Sequence, residues 1–242
     1  MQTSATFARS VRLFRSFRTE QSDPAGFYGI LASDSVEQLS RWAPLEGATV
    51  VDVGGGPGYF ADGFRAAGAS YVGIEYDAVE LSARGRVASN TVRGSGEELP
   101  FRTGAVDVCY SSNVLEHVRR PWQMADEMVR VTRPGGIVFL SFTPWFSPWG
   151  GHETSPWHLL GGNYAVRRYR RRTGREPKNK FGESLFDVRA GALLRWARSC
   201  SDAEFLTAFP RYHPWWATWL VHVPGLREFA TWNVVVVLRK RS

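Results

Sequence analysis

Two hydrophobic rhythms alternate over the first 143 residues. Short β-branched runs closed by turn residues separate stretches whose apolar positions recur three and four apart. Thr49–Val53 is the first such run, and it empties into Gly54-Gly55-Gly56-Pro57-Gly58, a strand feeding a glycine turn. A helix through Gly68 is expected next, then strands at 71–75, Thr91–Arg93, 106–111 and 137–142. Helical spacing returns from Leu81 onward and again over 113–132, where Arg133-Pro134-Gly135-Gly136 predicts a stop. Strands alternating with helices predict an α/β fold: a doubly wound, mostly parallel sheet covered on both faces.

The alternation pauses after Thr143. Residues 144–186 are rich in Pro, Gly, Trp and Arg and read as an insertion. A helix over 187–200 follows, with Leu193, Trp196, Ala197 and Cys200 on one face, then a strand over 203–209. An aromatic insertion over 213–229 precedes a last strand at 233–238. Before the sheet, Phe7, Val11, Phe14 and Phe17 stand at near-helical spacing with an arginine every third residue, an amphipathic basic helix over 6–18. The chain therefore reads as a single domain over 1–242. Its parts are a helical cap at 1–45, a ligand-binding core at 46–143, a basic aromatic insertion at 144–186, and the rest of the sheet at 187–242 with a Trp-rich insertion at 211–230.

Composition narrows the class. At 242 residues, 43% hydrophobic and 22% charged, the chain can bury a large core, which excludes wholesale disorder. Two cysteines, Cys109 and Cys200, exclude a disulfide framework and a four-cysteine zinc site. No apolar run reaches the roughly 18 residues of a membrane span, and no signal-like apolar segment opens the chain, so a cytoplasmic setting is expected. Charge is unevenly placed. Residues 1–144 hold 14 Arg against 16 acids, whereas 145–242 hold 16 basic residues against 7 acids and eight of the ten tryptophans. A near-neutral ligand-binding body is thus followed by a basic, aromatic surface suited to an acceptor.

A glycine turn after a strand lets a ligand approach the backbone, because no Cβ stands in the way. A dinucleotide site needs G-x-G-x-x-G, yet here the third glycine comes one residue early, at Gly58, with Tyr59 in its place. That spacing counts against NAD and FAD. Glu75 follows Gly54 by 21 residues, close to the spacing of an acid that binds ribose hydroxyls. Asp52, just before the turn, can order it or touch the ligand.

At these residues the chain resembles the class I S-adenosylmethionine-dependent methyltransferases, in particular the methyltransferase type 11 branch. The blocks are Val50-Val51-Asp52-Val53-Gly54-Gly55-Gly56-Pro57-Gly58, Gly73-Ile74-Glu75-Tyr76-Asp77, Gly94-Ser95-Gly96-Glu97-Glu98-Leu99-Pro100-Phe101, Val106-Asp107-Val108 with Asn113-Val114-Leu115-Glu116-His117-Val118, and Arg133-Pro134-Gly135-Gly136. Five blocks in order, from Thr49 to Phe142, make the resemblance specific. The outer segments are similar to uncharacterised methyltransferases of GC-rich bacteria, some thought to act on cell-envelope glycans. The resemblance implies S-adenosylmethionine as cofactor, held by Asp52, Gly54, Gly55, Gly56, Gly58, Glu75, Tyr76, Ser95, Gly96, Glu97, Ser111 and Asn113. The family usually carries Asp where Ser95 stands. A serine accepts without charge assistance, so the backbone at Gly96 or Glu97 is expected to do more of the adenine contact.

For the chemistry, Asn113, Glu116 and His117 fall at i, i+3 and i+4 of the expected helix, on one face. Some quinone-biosynthesis methyltransferases bind a divalent metal with Glu, Glu and His at such spacing. Asn113 replaces the first ligand, and no metal is expected. His117 is the leading general base for an acceptor hydroxyl, with pocket-floor packing as the plainer alternative. His152, with Glu153, is the rival pair, and His158 and His213 lie in the insertions too. The expected activity is O-methylation of a sugar, an envelope glycan or glycolipid, or another small molecule. An RNA or protein methyltransferase and a non-catalytic cofactor-binding scaffold are the alternatives. No nucleic-acid-binding signature is visible, and Ser111-Ser112-Asn113-Val114 stands where base-amino methyltransferases carry N-P-P-[YF], so nucleic acid is not an expected partner. Arg167-Arg168-Tyr169-Arg170-Arg171-Arg172, with Arg175, Lys178 and Lys180, is a solvated face or a grip for phosphates. Trp215, Trp216 and Trp219 suit a lid or, with the 6–18 helix, peripheral contact at the inner face of a membrane.

Overall fold

The computed structural model describes residues 5–17, 23–83 and 89–242. Seven strands form one sheet: β1 (Thr49–Val53), β2 (Ser70–Glu75), β3 (Thr91–Arg93), β4 (Val106–Ser112), β5 (Thr132–Phe142), β6 (Ala203–Pro210) and β7 (Val234–Lys240), in the order β3-β2-β1-β4-β5-β7-β6. The first five pair in parallel, and β7 runs antiparallel between β5 and β6. The eight α-helices described are α1 (Phe7–Phe17), α2 (Pro24–Leu39), α3 (Ala61–Ala66), α4 (Ala78–Leu81), α5 (Pro121–Val131), α6 (Gly162–Thr173), α7 (Ala190–Ser199) and α8 (Leu226–Ala230).

Central strands buried on both faces read as continuous apolar runs, and Val234–Val237 is the extreme case, with all four valines fully buried. Side chains alternate between two cores. Val51, Cys109, Val138 and Leu140 pack with α5 and α7, while Val50, Val108, Ile137 and Phe139 pack with α2 and α3. This is the expected doubly wound sheet.

Three elements depart from the sequence reading. The helix expected over 113–132 starts only at Pro121. Proline's fixed φ suits the first turn of a helix and its ring is rejected from the interior. Ahead of it lies a single 3-10 turn, Leu115–His117, and Asn113 takes a left-handed φ of 58°. Next, Arg133-Pro134-Gly135-Gly136 is not a free turn but part of β5: Val106 pairs with Thr132 and Val108 with Ile137, so these four residues bulge from the ladder. Helix α4 covers four residues, and the rest of the helix expected from Leu81 runs into residues 84–88, outside those described.

The N-terminal helix forms where expected. Its buried residues are Arg9, Leu13 and Ser16, while Phe7 and Phe14 are exposed. Arg9 donates through Nη2 to Asp34 Oδ2 of α2 at 2.7 Å and to the Arg211 carbonyl at 3.0 Å. Phe17 alone of the phenylalanines turns inward, edge-on to Phe27 and Trp149. Among the described residues, no helix is long and apolar enough to cross a membrane.

Candidate functional site

The carboxyl ends of β1, β2, β4 and β5 share one edge of the sheet. Because β7 is antiparallel, its start meets the same edge, with Val234 opposite both Phe142 and Pro210. Residues just beyond these points converge.

At one side of this edge lies the glycine loop. Gly54 has φ 78° and donates its N–H to the Ile74 carbonyl at 2.7 Å, tying the loop back to β2. A Cβ here would stand 2.2 Å from Val114 Cγ2, so only glycine admits both the turn and the close approach of the segment after β4. Gly56, at φ 52°, would present a Cβ to open space, leaving its backbone approachable. Its N–H donates to Glu75 Oε2 at 3.0 Å, and Glu75 Oε1 accepts from the Asp77 N–H at 2.8 Å. Glu75 thus spans the loop and the turn after β2. Tyr76 beside it is exposed.

Asp52 lies beneath the loop, buried, with the Tyr71 hydroxyl donating to Oδ2 at 2.8 Å. Burial pushes its carboxyl up to about 7, against the opposing pull of the Tyr71 hydrogen bond. A Cβ on Gly55 would meet both Asp52 Oδ2 and Tyr71 Oη, so Asp52 supports the turn from behind. Ser111 works similarly, donating from its buried hydroxyl to the Val53 carbonyl at 2.8 Å. In the 94–101 segment, Ser95 Oγ accepts from the Glu97 N–H at 3.1 Å. The Glu97 carboxylate is drawn to Arg120, accepting from its Nε at 2.8 Å and its backbone N–H at 3.1 Å. The Glu97 carbonyl is engaged too, accepting from Gln123 Nε2 at 2.9 Å. Gly96 sits tight against Val53 and Met124.

The other side of the edge is built around Asn113. Its side-chain oxygen accepts from Asn233 Nδ2 at 2.6 Å, and its N–H donates to the Ser141 carbonyl at 2.9 Å, joining the ends of β4 and β5 to the start of β7. Left-handed φ is uncommon outside glycine, and asparagine tolerates it best among the rest. This geometry turns the chain so that Glu116 is buried, with Oε1 accepting from the Thr143 N–H at 3.0 Å and Oε2 without a partner among the described residues. Burial raises its carboxyl above the ordinary glutamate range.

His117 and His152 face each other with ring centroids 4.9 Å apart. His117 Nδ1 lies 2.7 Å from the Ser184 carbonyl, an acceptor only, so Nδ1 carries the proton and Nε2 keeps its lone pair. Burial, then the neighbouring His117, lowers His152 to about 4, so it is neutral near pH 7. One donor atom from each of Glu116, His117 and His152 lies within 4.8 Å of the others. The expected His152–Glu153 pair does not form: Glu153 is exposed and accepts from Asn179 Nδ2 at 3.0 and 3.1 Å. The two histidines weighed as rivals instead form one pair. His158 is buried against Trp145, with Nε2 3.2 Å from the Ser147 carbonyl, a packing position.

Sequence reasoning missed Arg211. It follows β6 and is fully buried, donating to the hydroxyls of Ser141 at 2.8 Å, Ser35 at 2.6 Å and Tyr110 at 3.1 Å, and also to Ser112. An arginine between Pro210 and Tyr212 carries no local sign of burial. Lys178 was likewise read as part of a basic run, yet its Nζ reaches Glu80 Oε1 of α4 at 2.6 Å, so the insertion crosses over the end of β2. The rest of that run divides: Arg170 and Lys180 pair with Glu176, and Arg168 stacks over Trp157 at 3.9 Å.

A glycine loop without dinucleotide spacing, an acid at the end of the next strand and a seven-stranded sheet with one antiparallel strand define the class I methyltransferase architecture. Comparison with known proteins agrees. A family model described as a methyltransferase domain matches residues 51–140. The chain is 53% identical to an uncharacterized methyltransferase of Mycolicibacterium gilvum (strain PYR-GCK), over 97% of this chain and 95% of that protein. It is 51% identical to an uncharacterized methyltransferase of Mycobacterium marinum (strain ATCC BAA-535 / M), over 98% and 96%. The crystal structure of an S-adenosylmethionine dependent methyltransferase from Mesorhizobium loti shares the fold at TM-score 0.55 and 17% identity, covering 85% of this chain and 96% of that one. The chain belongs to this methyltransferase family, and S-adenosylmethionine is its cofactor. The residues fit that group: an approachable Gly56 backbone lies beside a carboxylate at the end of β2.

Proposed function

We propose that this methyltransferase methylates a hydroxyl of a sugar, an envelope glycan or glycolipid, or another small molecule. The observation that supports this reading most is the His117–His152 pair over buried Glu116, at the sheet edge shared with the glycine loop. S-adenosylmethionine supplies a methyl group already activated on a sulfonium centre. An alcohol is a weak acid, so its oxygen needs a base as it becomes the nucleophile. His117 Nε2 takes that proton. The Ser184 carbonyl holds the ring's tautomer, and Glu116 stands next in the chain to balance the imidazolium. The neutral His152 ring closes the other side without repelling the new charge. The 144–186 insertion, pinned by Lys178 to Glu80, orients the acceptor and excludes water. Exposed Phe7, Trp216 and Trp219 support peripheral contact with a membrane, which would bring a lipid-linked acceptor within reach.

A second reading rests on one observation: Glu116 Oε2 and His152 Nδ1 are buried without hydrogen-bond partners among the described residues, within a cluster of two imidazoles and a carboxylate. Such a set suits a divalent cation, which would itself acidify the acceptor hydroxyl. Exhaustive chelation separates the two: turnover that survives it favours the base, and turnover restored by a stoichiometric divalent ion favours the metal.

Cell extracts incubated with methyl-labelled S-adenosylmethionine and the enzyme test the acceptor. Label in an alkali-stable methyl ether of a glycan, glycolipid or small molecule is the expected outcome. Label in RNA or protein would replace this reading, and no label with intact cofactor binding would favour a scaffold.

A further inference from the structure

A helix on a protein surface normally buries its apolar stripe and shows its charges to water. Helix α1 does so only in part, since it buries Leu13 but leaves two phenylalanines in water. Beside Leu13 it buries Arg9 against α2, ion-paired to Asp34, whose second oxygen also accepts from Gln38 Nε2 at 2.7 Å. Phe7, on the opposite face, is 67% exposed, Phe14 is exposed one helical repeat on, and Arg12 and Arg15 stand exposed beside them. The buried ion pair holds the helix with Phe7 and Phe14 outward.

Those rings are not isolated. The Trp215 N–H donates to the Ala5 carbonyl at 2.8 Å, which sets the 3-10 segment Trp215–His222 alongside the start of α1. Trp215, Trp216 and Trp219 are all exposed, Trp216 by 56%. The segment packs on α8, which exposes Leu226 and Phe229. Helix α8 in turn borders a cleft of about 370 Å³ lined by Arg195, Arg198 and Arg227, with Pro224, Gly225 and Gly191. The one acid on its wall, Glu228, is spent on capping α7: its two oxygens accept from the Ala190 and Gly191 N–H groups, both at 2.8 Å. Arg227 Nε is buried without a partner among the described residues. The cleft is therefore cationic, and α8, which lines it, packs on the segment that exposes Trp215, Trp216 and Trp219.

We infer that the face formed by α1, Trp215–His222, α8 and the Arg195–Arg198–Arg227 cleft docks on an anionic phospholipid bilayer, with a phosphate headgroup in the cleft. Indole and phenyl rings settle at headgroup depth, and arginine forks match phosphate oxygens. A second copy of this chain is a poor occupant, because a two-fold contact would set the arginine cleft against itself. The arginine run of α6 is not needed. This inference extends the membrane-contact part of the reading above and is independent of its chemistry.

Flotation of the full chain with phosphatidylglycerol-containing vesicles, against pure phosphatidylcholine, tests it. Binding to the anionic vesicles alone, abolished by high salt, is expected. Arg195→Gln with Arg198→Gln should weaken binding about fivefold per arginine. Trp216→Ala with Trp219→Ala should weaken it at least as much, while Arg171→Gln with Arg172→Gln leaves it unchanged. Far-UV circular dichroism and methyl transfer to a water-borne acceptor confirm that each variant is folded. The inference is overturned if the protein stays with neither vesicle, binds both equally, keeps its binding at high salt, or sediments as a dimer that the Trp216/Trp219 variant dissociates. Loss of flotation with methyl transfer intact removes only the docking face. Loss of methyl transfer in the native chain with flotation intact removes only the chemistry.

Discussion

The two sides of the ligand edge are built by different means. At the glycine loop, the main bonds join β1 and its turn to β2: Gly54 to Ile74, Gly56 to Glu75, Asp52 to Tyr71. On the side proposed for the acceptor, the partners come from far along the chain: Asn113 with Asn233, His117 with Ser184, Arg211 with Ser35. The first side rests mostly on a strand–turn–strand unit, with Ser111 and Val114 supporting it from β4 and beyond. The second exists only once the insertions and the antiparallel β7 are in place.

The largest effect separating the two sides concerns stability. Asp52 has a folded-state value near 7 against an ordinary 3.8, so the native state favours its proton. The stability this contributes is full below about pH 4 and is lost as pH rises through 7, roughly 4 kcal/mol over the three pH units. Asp52→Asn keeps an acceptor for Tyr71 and should flatten urea-denaturation stability between pH 4 and 7. An unchanged slope would mean the loop does not rest on a protonated carboxyl.

On the acceptor side, His117→Ala should lower turnover by about 100-fold or more, with little change in cofactor affinity. If His152→Ala abolishes turnover and His117→Ala barely moves it, the base belongs to the insertion. Glu75→Ala should do the converse, costing about 2–3 kcal/mol of S-adenosylhomocysteine affinity by calorimetry, the scale of a charged hydrogen bond. NADH should not bind. An unchanged affinity would make Glu75 a strut for Gly56 and Asp77 only. The smallest effect belongs to Lys178→Ala. Its ion pair with Glu80 is largely exposed, so stability should fall by less than about 1 kcal/mol while KM for the acceptor rises. An unchanged KM would remove the insertion from the acceptor's path.

The strands and the glycine turn were legible because each signal lies within a few residues: β-branched runs, then glycines, then an acid at a countable distance. The 113–132 helix was misjudged at its start because apolar periodicity continued through a segment whose direction is set by tertiary bonds to Ser141 and Asn233. Burial of Arg211 was invisible for the same reason, since its hydroxyl partners come from α2, β4 and β5. Helix α1 was placed correctly, but its orientation was left open between a surface for a membrane and a lid with buried phenylalanines. The meeting of Arg9 with Asp34, beside buried Leu13, sets the face.

Sequence alone determined the α/β alternation, the cofactor loop with its strand-end acid, and the excess of arginine and tryptophan in the second half. These follow from backbone preferences and short-range spacing, which act before the chain is folded. Tertiary structure decided which histidines meet, where Lys178 reaches and which face of α1 looks outward. Those outcomes depend on contacts between residues 25 to 202 positions apart, where burial and pairing of charge outweigh any local pattern.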